Sequence, residues 1–267
     1  MTGTPAEPAA PILSVHDLTL RFGAITAFAD VSFDLAEGEL FAVIGPNGAG
    51  KTSLFNVVSR VYRSDSGRIR YRGEDLLHLA PRQLAGAGIA RTFQNLGLFG
   101  PLTVLENVLL GRHHLMRSGA LRGGLYLGFA QREEARHRAA AREALAFCGI
   151  ERIADVPVAA LPYGVRKSVE LARALAMEPR LILLDEPVAG MSAPERAAVT
   201  ELVRRMHRER GLTVMLVEHD MGMVMQIAER VLVLDFGRII GLGTPAEVQR
   251  DPLVIKAYLG EALEETA

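Results

Sequence analysis

Gly45-Pro46-Asn47-Gly48-Ala49-Gly50-Lys51-Thr52 matches the spacing of a phosphate-binding loop at every required position. In such a loop the glycines let the backbone curl until its N–H groups face phosphate oxygens. The start of the following helix adds positive potential. Lys51 is then placed for the β- and γ-phosphates, the Thr52 hydroxyl for Mg²⁺, and the cradle runs on to Ser53. A second cluster, Asp185-Glu186, ends the apolar run Leu181-Ile182-Leu183-Leu184. Parallel strands deliver ligand-binding groups at their carboxyl ends, so Asp185 can join a Mg²⁺ shell and Glu186 can polarise an attacking water as general base. An ordinary strand ending in a solvated acidic turn would carry the same residues. On this pair alone both readings stand.

These groups work only if strands and helices hold them. Val31, Phe33 and Leu35 alternate with polar neighbours, the period of a half-buried strand. A turn at Glu37-Gly38-Glu39 leads to Leu40-Phe41-Ala42-Val43-Ile44, a continuous apolar run suited to a strand covered on both faces. After the glycine-rich loop, Leu54, Val57, Val58 and Val61 have helical spacing. Strand, loop and helix therefore follow one another as the motif requires.

From about Phe93 to Pro162 the pattern turns helical. Thr103 and Glu106 have capping-box spacing, and Arg132–Phe147 is rich in helix formers and closed by Gly149. Ser118–Gly128 between them reads as a loop. Strand character returns at Leu181–Leu184. Ser192 and Glu195 then open a helix ending at Gly211, followed by a strand over Leu212–Val217, a helix and a strand over Val231–Leu234. Asp235-Phe236-Gly237 is a turn into Arg238-Ile239-Ile240, not a kinase metal triplet, since no kinase catalytic loop precedes it. Alternating strands and helices imply a mostly parallel sheet covered on both faces.

Composition sets outer bounds. Apolar residues make up 49% of the 267, enough for a substantial core. A formal net charge of -1 speaks against a nucleic-acid binder. The single cysteine, Cys148, rules out an internal disulfide framework, fits a reducing compartment and reads as a small apolar residue near a helix end. Residues 1–11 read as a disordered tail without secretory character. No apolar stretch approaches the roughly 20 residues a membrane span needs, so any membrane role is borrowed from a partner.

Together the loop and the Asp185-Glu186 strand end resemble the ATP-binding-cassette (ABC) ATPases, over nearly the whole chain from about Ile12. Gln94, in Arg91-Thr92-Phe93-Gln94-Asn95, matches the family glutamine. The resemblance implies that it touches Mg²⁺ and the water and relays nucleotide state. His219, in Val217-Glu218-His219-Asp220, matches the switch histidine, whose imidazole hydrogen-bonds the γ-phosphate and helps orient Glu186. Phe22, before Gly23, matches the aromatic residue that stacks on adenine; a core phenylalanine is the alternative reading. The resemblance also implies an α/β P-loop fold with a mixed central sheet, an N-terminal antiparallel β region and an inserted helical subdomain. The core would cover about 12–92 and 163–250, the insertion 93–162 and a C-terminal extension 251–267.

The family signature loop, usually Leu-Ser-Gly-Gly-Gln, corresponds here to Leu161-Pro162-Tyr163-Gly164-Val165. In the family this loop holds the γ-phosphate bound to the opposite subunit. Pro162 brings neither hydroxyl nor N–H, which leaves Gly164 and the helix N-terminus for the anion. Ser192 stands where the family commonly has aspartate. These departures, Glu186-Pro187-Val188-Ala189-Gly190-Met191 and the ending Gly243-Thr244-Pro245-Ala246-Glu247-Val248 resemble one ATPase subunit of branched-chain amino acid importers. That resemblance implies ATP and Mg²⁺ as cofactors and a dimer closed around ATP. It implies a second cassette ATPase (a heterodimer, with a homodimer possible), two membrane-spanning permeases, an extracytoplasmic binding protein, and a peripheral place on the cytoplasmic face of the inner membrane. Urea or amide import, lipid or lipopolysaccharide export, and a soluble non-transport cassette ATPase are the alternatives. A GTPase is disfavoured because no Asn-Lys-x-Asp segment occurs.

Overall fold

The computed structural model describes residues 10–92, 97–116 and 127–264. The first elements are β1 (Leu13–Phe22), β2 (Ile25–Leu35), β3 (Leu40–Ile44), α1 (Lys51–Val58), β4 (Ser66–Tyr71) and β5 (Glu74–Asp75). Then come α2 (Leu84–Ala87), β6 (Ile89–Arg91), α3 (Val104–Gly111), α4 (Leu127–Phe147), α5 (Tyr163–Ala176), β7 (Leu181–Asp185) and α6 (Ala193–Arg210). The chain closes with β8 (Thr213–Val217), α7 (Met221–Ile227), β9 (Arg230–Asp235), β10 (Arg238–Gly243), α8 (Pro245–Val248) and α9 (Pro252–Glu264). Two compact units divide between residues 81 and 82 and between 208 and 209.

In the unit formed by the two ends of the chain, β2, β1, β4 and β5 make an antiparallel sheet. Val31, Phe33 and Leu35 of β2 are buried as their alternation demands. The run Leu40–Ile44 is β3, every residue of it buried, parallel to β8 on one side and β9 on the other. β10 adds an antiparallel edge to β9, which makes the sheet mixed. Phe33 stacks on Phe41 with ring centroids 5.3 Å apart. Burying a side chain of this size contributes about 1.5–3 kcal/mol, so the sheet carrying the loop is also a large part of this unit's core.

Helix α1 stops at Val58, short of the Val61 that its apolar spacing suggested. Arg60 takes a left-handed conformation (φ 60°), and the N–H groups of Val61 and Tyr62 both reach the Asn56 carbonyl. Those bonds satisfy a carbonyl the last turn leaves open, and they turn Val61 out into solvent.

The second unit holds a parallel pair, β6 and β7, in the register Ile89↔Leu181, Ala90↔Ile182 and Arg91↔Leu183. Helices α3, α4 and α5 share a core that includes Val104, Val108, Ala141, Leu145, Val169 and Ala172, and Cys148 is half-buried against it. The helix expected over Arg132–Phe147 begins at Leu127, so Leu127 and Gly128, read as loop, belong to its first turn. The rest of that expected loop, 118–126, lies outside the described residues.

Thr103 and Glu106 form the expected reciprocal capping box at α3. The Glu195 carboxylate accepts both the N–H and the hydroxyl of Ser192 ahead of α6. A third box, Thr244 with Glu247 at α8, was not anticipated. Among the described residues no helix is long and apolar enough to cross a membrane.

Hydrogen bonds from the Thr103 backbone, then its hydroxyl, hold the Glu106 carboxyl below its ordinary value of 4.5, and Thr244 does the same for Glu247. A carboxylate with a depressed folded-state pKa adds stability above about pH 4.5 that is lost as the pH falls through the folded value. Thr103→Ala, which removes the hydroxyl that caps α3, should cost about 1 kcal/mol in urea unfolding at pH 7. Its difference from wild type should narrow as the pH is taken below 4; an undiminished difference at pH 3 would contradict the capping account.

Candidate functional site

The loop between β3 and α1 is held by its own backbone. Gly45 sits at φ 147°, and a Cβ there would lie 2.0 Å from the Leu234 carbonyl oxygen at the end of β9. Gly50 sits at φ 97°, where a Cβ would lie 2.5 Å from the Ala27 carbonyl of β2. These two close approaches explain the glycines at both ends of the curl. Gly237 donates its N–H to Ala49 and accepts from Ala29, so the Asp235-Phe236-Gly237 turn braces the loop from outside. The Lys51 ammonium is buried and donates to the carbonyls of Gly45 (2.6 Å) and Pro46 (2.7 Å). Its charge therefore lies along the loop, beneath Asn47, Gly48 and Ala49, with Thr52 and Ser53 in the first turn of α1.

The strand register brings His219 to the same edge. Val43 of β3 pairs with Val217 of β8, so Gly45 and His219 each lie two residues beyond paired strand ends. The side chain of His219 is 59% exposed. Beneath it the fully buried Glu218 carboxylate accepts the N–H groups of His219 (2.9 Å) and Asp220 (3.0 Å), and Asp220 caps α7 through the Met223 N–H. Both ends of the peptide that presents the imidazole are thus anchored. Phe22 is 47% exposed, so the core alternative is excluded; its ring meets Tyr62 edge to face at 5.3 Å. Tyr62 comes from beyond α1 and gave no signal in the sequence.

In the second unit Asp185 ends β7 and is almost buried. Its Oδ2 accepts from Arg91 Nη2 at 2.9 Å, and its backbone N–H meets Thr92 Oγ1 at 3.3 Å. Glu186 follows in a left-handed conformation (φ 44°), costly for a non-glycine residue and of the kind that gathers at functional sites. Gln94 lies outside the described residues.

The signature segment is placed differently from what Pro162 and Gly164 alone suggested. Pro162 is the N-cap of α5 and supplies no side-chain cap; Leu161 is buried and Tyr163 exposed. The Gly164 backbone, expected to be available to an anion, lies against the Glu195 carboxylate. Hydrogen bonds from the Ser192 hydroxyl, then the Ser192 and Gly164 backbones, hold that carboxyl below its ordinary value. A Cβ on Gly164 would lie 2.6 Å from Glu195 Oε1, so only glycine allows this approach. The Ser192–Glu195 spacing marked a helix cap in the sequence, and nothing in it marked the link to Gly164.

A glycine cradle after a buried parallel strand, with an inward lysine and a presented histidine, defines a P-loop nucleotide-binding protein. The sequence pattern described as "ABC transporter" matches residues 28–189, and that described as "Branched-chain amino acid ATP-binding cassette transporter" matches 238–264. LivG of Salmonella typhimurium, a high-affinity branched-chain amino acid transport ATP-binding protein, is 37% identical over 252 residues, covering 94% of this chain and 99% of LivG. The ADP conformation of MJ1267, an ATP-binding cassette of an ABC transporter, superposes with a TM-score of 0.79 at 28% identity, covering 95% of this chain and 100% of that one. A dimeric post-hydrolysis structure of the cassette MJ0796 with ADP and Pi gives 0.71 at 26% identity, covering 87% and 98%. The chain belongs to the ABC transporter family, as its ATP-hydrolysing subunit.

Gly45→Ala should strain the loop by roughly 1–3 kcal/mol, because a methyl group would meet the backbone of β9. Calorimetry should show a lowered unfolding midpoint together with lost ATP binding; an unchanged midpoint would mean that the loop relaxes freely.

Proposed function

We propose that this chain energises import of branched-chain amino acids, as one of two cassette ATPases beneath a pair of permeases. The observation that carries the cargo reading is the match of 238–264 to the branched-chain importer pattern, beside the likeness to LivG over almost its full length. Permeases and dimerisation belong to the family's importers; the heterodimer, an extracytoplasmic binding protein and a peripheral place on the cytoplasmic membrane face belong to this proposal. So does the division into a core (12–92 and 163–250), a helical insertion (93–162), an extension (251–267) and a tail (1–11).

The residues fit ATP with Mg²⁺. Gly45 and Gly50 permit the close backbone packing that fixes the curl of the loop, Lys51 presents a buried cation to the loop, and Asp185 is a nearly buried carboxylate at a strand end. In this reading Thr52, Gln94 and Asp185 hold Mg²⁺, which would neutralise phosphate charge when bound. Phe22 stacks on adenine, with Tyr62 supporting its ring. The N–H groups of Gly45–Ser53 and the α1 N-terminus bind the phosphates, and Lys51 exchanges carbonyl partners for phosphate oxygens. Glu186 takes the proton of the attacking water, and His219 orients the γ-phosphate and Glu186. Leu161–Gly164 serve the nucleotide bound to the partner cassette, and closure of the dimer excludes water.

In the purified complex, Glu186→Gln should reduce ATP hydrolysis by about 100-fold or more while ATP binding persists. Hydrolysis at the wild-type rate would remove Glu186 from the role of base. In vesicles carrying the assembled complex and its binding protein, leucine should stimulate hydrolysis and accumulate. Stimulation by urea or an amide instead, or by a lipid extracted from the bilayer, would overturn the cargo assignment and leave the ATP site standing.

A further inference from the structure

Strand β6 ends at Arg91, and the register Arg91↔Leu183 sets it beside the last residues of β7. The Thr92 N–H donates to the Leu183 carbonyl at 2.9 Å, and the Thr92 hydroxyl meets the Asp185 N–H. With both backbones tied, the Arg91 guanidinium reaches Asp185 Oδ2 at 2.9 Å, the two side chains being only 11% and 4% exposed. A carboxylate this far from water is costly unless a positive charge accompanies it. Leu181–Leu184 are wholly buried, so the charge must come from the neighbouring strand end or from a metal ion.

We propose that Arg91 is a positioning residue of the metal site: its guanidinium stands in for Mg²⁺ at Asp185 and competes with the ion for that carboxylate. The inference rests on Asp185 being a metal ligand, as read above. Before metal arrives, the ion pair holds the carboxylate at its aim and keeps β6 and β7 in register. When metal binds with ATP, the carboxylate is shared between two cations, so metal affinity is lower than the bare carboxylate would give. Weaker retention of the ion lets it leave with the spent nucleotide. A purely structural ion pair would stabilise the fold without opposing the metal.

The test is Mn²⁺ binding to the full chain with a non-hydrolysable ATP analogue, followed by electron paramagnetic resonance, for wild type, Arg91→Met, Arg91→Lys, Asp185→Asn and the double variant Arg91→Met/Asp185→Asn. Arg91→Met should bind Mn²⁺ about tenfold more tightly than wild type, and Arg91→Lys, which keeps the charge, should stay near wild type. In metal-free buffer Arg91→Met should melt below wild type, and the double variant, lacking both charges, should regain much of the loss. Unchanged or weaker Mn²⁺ binding by Arg91→Met, with wild type binding normally, overturns the competition and leaves a structural ion pair. Equal Mn²⁺ binding by wild type and Asp185→Asn instead overturns the metal-ligand reading, and the proposal with it.

Discussion

The curl of backbone from Gly45 to Gly50 must present its N–H groups on one side, and most of the surrounding architecture follows from that demand. The curl survives because three backbones press on it: the Leu234 carbonyl against Gly45, the Ala27 carbonyl against Gly50, and the Gly237 N–H on Ala49. Each comes from a different strand or turn. β3 must therefore lie beside β9, and β2 must come close to the start of α1. Burial of every residue of β3 keeps that frame stiff. A loop with free ends could adopt the same curl, but only at a large cost in conformational entropy on binding.

Charge burial is the second constraint, met by near neighbours for Lys51 and Glu218 and by an adjacent strand for Asp185. Lys51 is neutralised by carbonyl dipoles of its own loop, Asp185 by Arg91, and Glu218 by the two N–H groups that follow it. Groups satisfied in this way are pre-aimed. Each of these side chains is held in one direction before any ligand arrives, which is what electrostatic preorganisation means.

The start of α5 shows how a single proline changes the groups a helix end offers. Pro162 removes a hydroxyl and an N–H from the α5 N-terminus. The Gly164 backbone lies against Glu195, whose carboxylate also accepts from Ser192, so the start of α5 and the segment after Glu186 share a single carboxylate. Within this chain the two segments are therefore linked through one side chain, Glu195.

Local chemistry is readable from one residue to its near neighbours, and there the sequence was a reliable guide. The loop at Gly45–Thr52, the buried strands Leu40–Ile44 and Leu181–Leu184, and the caps at Thr103 and Ser192 are determined by spacing, because period and capping depend on residues a few positions apart. Tertiary structure decided the rest. It turned Val61 outward through Arg60, set Tyr62 against Phe22, braced the loop with Gly237, and joined Arg91 to Asp185 and Glu195 to Gly164. Each of these contacts joins segments whose proximity follows from strand register, turn conformation or helix packing. Such proximity is a property of the assembled fold and leaves no periodic trace in the chain, whereas the phosphate loop is local and carries its chemistry in consecutive residues.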